Sequence, residues 1–316
     1  MDIVLHLGAH RTASTSFQSY IRHNLTDLTA QGLGFWGPSR TRGGLFAGII
    51  PVNGSPRLTR QARMAKGRIA LHLERARLNG TRVLIVSDEN MIGAPRRNMR
   101  DLMLYRGAGE RMARHAAAFG GQITRIVLSI RDFDSYWPSV LAYGVARGHA
   151  VPQAAQLDWI ASQTRGWRDV ITDLSCALPD VDILVLPHEV YGGMPERRLE
   201  IMTDGLIQGP LHHHRICLNR APDVATLRHA LTLRGEDPDL LDAATHPSGG
   251  RYDPFTLVQR ARLRELYQDD LFWLSAGADG LATLITENKR NQTGVSPQRD
   301  TLTRGKDNDQ QEGRVA

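Results

Sequence analysis

The 316-residue chain is 41% hydrophobic and 23% charged, ordinary proportions for a globular protein, and its net charge is +6. No apolar run is long enough to cross a bilayer, no basic segment followed by an apolar stretch opens the chain, and two cysteines (Cys176 and Cys217) cannot build a disulfide framework. A cytoplasmic protein without membrane insertion is expected. The arginines are scattered rather than gathered in a block, so anionic small molecules or acidic acceptors fit the charge as well as nucleic acid does; charge alone does not decide, and no nucleic-acid partner is expected.

Apolar runs at 2–7, 82–87, 124–130 and 182–186 read as strands buried on both faces, with 32–36 a candidate fifth. Helical patterns separate them at 14–31, 57–78, 109–119, 134–147 and 152–178. Beyond 186 the strand signal fades and helices are expected at 196–207, 223–234 and 255–277. The last carries an apolar stripe of Leu257, Ala261, Leu263, Leu266, Leu271, Trp273 and Leu274. This alternation predicts an α/β fold, a P-loop-like doubly wound parallel sheet flanked by helices with a helical C-terminal portion. One domain is expected over 1–286. A polar segment without apolar periodicity follows at 287–316 and is expected to be disordered.

The first strand-to-helix connection reads Leu7-Gly8-Ala9-His10-Arg11-Thr12-Ala13-Ser14-Thr15-Ser16. A strand, a turn of small residues and a helix N-terminus form an anion cradle, because the first helical N–H groups are unpaired and the helix dipole favours negative charge. The register is that of a Walker A loop whose second glycine is Ala13 and whose lysine is Ser14, with positive charge supplied by Arg11. A plain turn capped by Ser14 or Thr15 accounts for the same residues.

A second constellation follows the 124–130 strand. Arg131 lies where that strand ends, the ligand edge of an open α/β sheet, and Ser139 comes eight residues later in the next helix. An arginine fork and a serine hydroxyl converging in this way suit a phosphate. A surface pairing of Arg131 with Asp132 or Asp134 is the alternative.

At the end of the 82–87 strand stand Asp88 and Glu89. Either they act at the ligand edge, or Asp88 caps the next segment and Glu89 pairs with an arginine. His10 lies within the cradle, whereas His6 is expected to be structural. His188 and Glu189 follow the 182–186 strand. The run His212-His213-His214 has no convergent partners that would make a metal site, and no metal is expected.

In order and separation, the first two motifs resemble those of sulfotransferases that use 3'-phosphoadenosine 5'-phosphosulfate (PAPS). The matching positions are His6, Gly8, Arg11, Thr12, Ser14 and Thr15, then Arg131 and Ser139. Residues 263–274 are similar to the last helix of bacterial members, so the likeness runs from about residue 2 to 277. The resemblance implies that Gly8, Arg11, Thr12, Ala13, Ser14 and Thr15 hold the 5'-phosphosulfate and that Arg131 and Ser139 hold the 3'-phosphate. Gly250 and Arg251, in Ser248-Gly249-Gly250-Arg251, resemble a late loop that closes over that phosphate. Glu89 resembles the glutamate base of heparan-type members, with His10 the alternative base and Arg11 beside the transferred group.

The implied activity is sulfuryl transfer from PAPS to a hydroxyl or amine on a carbohydrate, lipid or small molecule. Loops 37–56 and 217–223 are expected to line the acceptor pocket. Two departures from the family pattern stand out. Lysine is replaced by Arg11, and glycine by Ala13, which is acceptable only if that residue avoids positive φ. They motivate a second reading, a non-catalytic domain that binds a nucleotide or anionic glycan. A third, a P-loop nucleotide hydrolase or kinase, fits the Asp88-Glu89 pair but not the serine at the lysine position.

Overall fold

Runs of Val, Ile and Leu form strands at Asp2–His6 (β1), Leu33–Trp36 (β2), Val83–Ser87 (β3), Arg125–Ile130 (β4) and Asp182–Pro187 (β5). A sixth, Thr283–Leu284 (β6), is too short to announce itself in the sequence. The computed structural model describes residues 1–50, 58–210, 212–244 and 250–286, so Ser248, Gly249 and the 287–316 segment lie outside the described residues. All six strands are parallel, in the order β2-β3-β1-β4-β5-β6. The expected α/β architecture is observed.

The main helices are Ser14–His23 (α1), Leu25–Ala30 (α2), Leu58–Leu78 (α3), Pro95–Asp101 (α4), Ala108–Phe119 (α5) and Phe133–Val145 (α6). They continue with Ala154–Ala161 (α7), Trp167–Ala177 (α8), Pro195–Met202 (α9), Val224–Leu233 (α10) and Leu257–Ser275 (α11). They cover both faces of the sheet because successive strand side chains point to opposite sides. Ile3, Leu5, Leu84, Val86 and Leu128 pack with α3, α5, α6, α8 and α11. Val4, Val83, Ile85 and Val127 pack instead with Phe17, Tyr20 and Ile21 of α1 and Leu199 and Met202 of α9.

Four helical expectations need correction, of which the simplest is 196–207, where the helix ends at Met202. The 14–31 helix is broken at Asn24, whose side-chain amide donates to the carbonyls of Tyr20 (3.0 Å) and His212 (2.9 Å), a local competition that ends α1. The 152–178 helix is two helices. Asp270 of α11 accepts from the N–H groups of Trp167 (2.6 Å) and Arg168 (3.2 Å) and so caps α8 from a distance. A Cβ on Gly166 would stand 2.5 Å from that carboxylate, which makes the break require glycine. The stripe on α11 also differs. Leu257 is exposed, as is Ala261, while the buried face is Gln259, Leu263, Tyr267, Asp270, Trp273 and Leu274.

β1 lies between β3 and β4, with β2 and β3 built on one side of it before the chain crosses to β4 on the other, so the strand order reverses there. That is where an open parallel sheet forms its ligand crevice, at the carboxyl ends of the strands. Residues 7–13, Asp88-Glu89, Arg131 and His188 all follow the carboxyl ends of strands.

Candidate functional site

β1 passes into its loop under tension. Gly8 has φ +27°, and a Cβ there would meet Ser14 Oγ at 2.5 Å and His6 Nε2 at 2.9 Å, so glycine is required for the close approach. Arg11 (φ +66°) and Ala13 (φ +62°) are both left-handed. The condition set for Ala13 is therefore not met, and the loop carries about 1–2 kcal/mol of strain at each of these two non-glycine residues. Ala13 precedes α1 with no side-chain capping bond, leaving the helix N-terminus uncapped.

The loop hydroxyls divide into two groups. Thr12 is fully buried and donates to the Ala9 carbonyl at 2.6 Å, so its side chain holds the turn and not a ligand. Ser14 is 6% exposed, and its Oγ has no hydrogen-bond partner. That Oγ is buried beside Gly8, while the residue borders a cavity of about 260 Å³ that Arg11, Glu89, Arg131, Ser139 and His188 also line. Residues 217–221 close the same cavity. Their anchors are the Leu218 N–H, which donates to Ser16 Oγ (2.9 Å), and the Asn219 amide, which donates to Thr15 Oγ1 (3.0 Å).

On the β4 side, cations gather with few acids among them. Arg11 Nε donates to Ser139 Oγ at 2.9 Å, and its guanidinium lies 5.4 Å from the Tyr143 ring centroid. Arg131 donates from Nε to Ser135 Oγ (2.7 Å) and from Nη1 to the Arg11 carbonyl (2.6 Å). Arg251 reaches the Ser135 carbonyl at 2.7 Å, while Gly250 accepts a backbone bond from Val224. The pairing of Arg131 with Asp132 or Asp134 does not form. Asp132 caps α6, and Asp134 binds Arg260 and Arg264. Burial, with Arg251 nearby, lowers the Arg131 pKa to about 10, and burial lowers that of Arg11 as well.

At the end of β3, by contrast, the acids already hold partners. Asp88 accepts from Thr41 Oγ1 (2.5 Å), Arg42 Nη2 (2.7 Å) and the Asn90 N–H (3.0 Å). Asp88 thus caps the following segment. Glu89 accepts from Gln18 Nε2 (3.1 Å) at one oxygen and Arg42 Nη2 (3.2 Å) at the other, and still borders the cavity. His10 is held on both ring nitrogens, by Asn90 Oδ1 (3.0 Å) at Nε2 and by the Tyr105 hydroxyl (2.8 Å) at Nδ1. Its pKa is lowered, chiefly by burial.

The remaining candidates are peripheral. His188 lines the cavity, its Nδ1 is buried beside Gly192 without a partner, and its pKa falls to about 4 through burial and the Arg131 charge. Glu189 is bound to the Asp132 N–H and the Tyr267 hydroxyl. His213 packs against the His23 ring, and among the described residues no cluster of acidic, histidine or cysteine side chains is arranged to hold a metal. Loop 37–56 contributes Thr41, Arg42 and Phe46 to a second cavity of about 250 Å³, beside His115 and Arg111. Gln18, Arg42, Tyr143 and Arg198 carry no motif signal, because their roles depend on contacts distant in sequence.

Comparison with protein-family models, with curated proteins and with solved structures finds no match for this chain. Among the described residues no helix is long and apolar enough to cross a membrane.

Proposed function

We propose that the chain is a PAPS-dependent sulfotransferase, acting on a hydroxyl or amine of a small molecule, lipid or glycan. The observation that supports this most is the single cavity shared by two unlike anion sites. One is the uncapped α1 N-terminus with the unpartnered Ser14 hydroxyl, and the other is the Arg131, Ser139 and Arg11 cluster. A ligand with phosphate groups at two ends fits this division better than a linear triphosphate, which needs a lysine where Ser14 stands.

In this reading the phosphosulfate lies on the α1 N–H groups and Ser14, and the 3'-phosphate lies against Arg131 and Ser139. Arg11, hydrogen-bonded to Ser139, serves the 3'-phosphate in this arrangement. The exchange of lysine for arginine thereby shifts positive charge toward the second anion. The acceptor oxygen or nitrogen attacks sulfur in line, and the bond from sulfur to the bridging phosphate oxygen breaks. The electron pair leaves with 3'-phosphoadenosine 5'-phosphate, and the acceptor proton goes to Glu89. Positioning and preorganised charge carry the catalysis. Glu89 is a better base than His10 because its oxygens keep free lone pairs, whereas both His10 nitrogens are occupied.

Transfer of labelled sulfate from PAPS to a panel of hydroxyl and amine acceptors tests the reading. Glu89→Gln is expected to keep nucleotide affinity and lower turnover by roughly 10²- to 10⁴-fold. The strained Arg11 and Ala13 loop favours the second reading, a binder without turnover. Nucleotide binding by the wild-type protein with no transfer to any acceptor would select it.

A further inference from the structure

Arg198 of α9 is 1% exposed, one of the largest side chains to be fully buried. Its Nη2 donates to His6 Nε2 (2.8 Å) and Ser129 Oγ (3.1 Å), and Nη1 makes a long contact of 3.4 Å with the Thr12 carbonyl. The guanidinium also lies 4.9 Å from the Phe17 ring centroid, and its Nε has no partner. None of these neighbours is negative. His6 accepts at Nε2 and therefore donates from Nδ1 to Ser87 Oγ (2.8 Å), which fixes it as a neutral ring. Among the described residues no carboxylate pairs with Arg198, although Arg42, Arg125, Arg165, Arg260 and Arg264 all have one.

A guanidinium removed from water without a counter-charge costs several kcal/mol. Replacing such a charge with an apolar side chain is often neutral or stabilising, so packing alone gives no reason for it. Its position does. Arg198 touches the Thr12 carbonyl behind the anion loop, and the peptide plane sends the Ala13 N–H in the opposite direction. Ala13 lines the cavity.

We infer that Arg198 is a positioning residue of the anion site: its counter-charge is the bound anion, which it attracts through the loop while holding the Thr12–Ala13 peptide with its N–H toward the cavity. The ligand class is a multiply charged phosphate or phosphosulfate. The inference rests on the anion-cradle part of the proposed function but not on PAPS as donor.

Calorimetry with inorganic pyrophosphate at fixed ionic strength, paired with melting of the ligand-free full-length chain, tests it. Arg198→Met is expected to weaken pyrophosphate roughly 10- to 100-fold while the ligand-free melting temperature holds or rises. Arg198→Lys should retain most of the affinity. If Arg198→Met does not fold, Arg198→Gln, which keeps a donor but no charge, should show the same loss of affinity. Unchanged pyrophosphate affinity in either neutral variant, failure of both to fold, or no pyrophosphate binding by the wild type overturns the inference. Pyrophosphate binding that depends on Arg198, in a protein indifferent to the 3'-phosphate, would leave it standing and overturn the PAPS reading.

Discussion

The carboxyl ends of β1 and β3 lie side by side in the sheet and are built on opposite principles. At β3, Asp88 and Glu89 accept from Thr41, Arg42, Gln18 and the Asn90 N–H. At β1 and the neighbouring β4, hydroxyls and cations gather with too few acceptors: Ser14 Oγ is unpartnered, Arg198 has no counter-ion, and Arg131 and Arg11 bond to hydroxyls and a carbonyl. Buried polar groups are normally satisfied, and the proposed function reads this deficit as the place where a ligand supplies the missing acceptors. The satisfied side fixes a carboxylate in place at the margin of that deficit. Under the proposed function an anion completes the first region, whereas the two carboxylates of the second already hold protein partners.

The largest test of this contrast uses two histidines, one on each side. His188, in the cavity, has a pKa near 4 from burial and Arg131, and His115, in the second cavity, has one near 3 from burial and Arg111. Both are depressed below the unfolded value near 6.5, so below that value the unfolded chain binds protons that the folded chain refuses. Their contribution to stability is complete above about pH 6.5 and is lost as pH falls toward about 4 and 3. The slope is at most about 1.4 kcal/mol per pH unit for the fully buried His115, and smaller for the partly exposed His188. Ring resonances followed by NMR should not titrate between pH 7 and pH 5 in the free protein. Adding a bound anion should raise the His188 midpoint and leave His115 in place. Equal movement of both would erase the distinction between the two regions.

A smaller effect is expected from the loop strain. Ala13→Gly places glycine at φ +62°, where it fits without penalty, so thermal melting should show no loss of stability. The same exchange at exposed Ala113 within α5 should cost about 1 kcal/mol. A comparable loss at both positions would mean that the loop is relaxed and that its left-handed turn stores nothing.

Legibility in the sequence followed locality. Gly8, Ser14, Arg131 and Ser139 were readable because their spacing encodes strand, turn and helix within a few residues. The central strands were readable for the same reason, each being a short run of Val, Ile and Leu. Arg198 was not, because Arg197-Arg198 looks like a solvated helix face and its partners His6 and Thr12 lie 192 and 186 residues away. Arg42 and Thr41 sat in a loop that offered no periodicity, although they determine how Asp88 is held. The breaks at Asn24 and Gly166 depend on partners at His212 and Asp270, which local pattern could not supply. Positive φ at Ala13 was invisible for a different reason, since alanine gives no turn signal.

The central claim is that two anion sites at neighbouring strand ends act on one ligand. Calorimetry comparing 3'-phosphoadenosine 5'-phosphate with ADP addresses it directly. The bisphosphate should bind roughly 10- to 100-fold more tightly, and Arg131→Ala should bring the two affinities together. Equal affinity of the wild-type protein for both nucleotides would contradict the account.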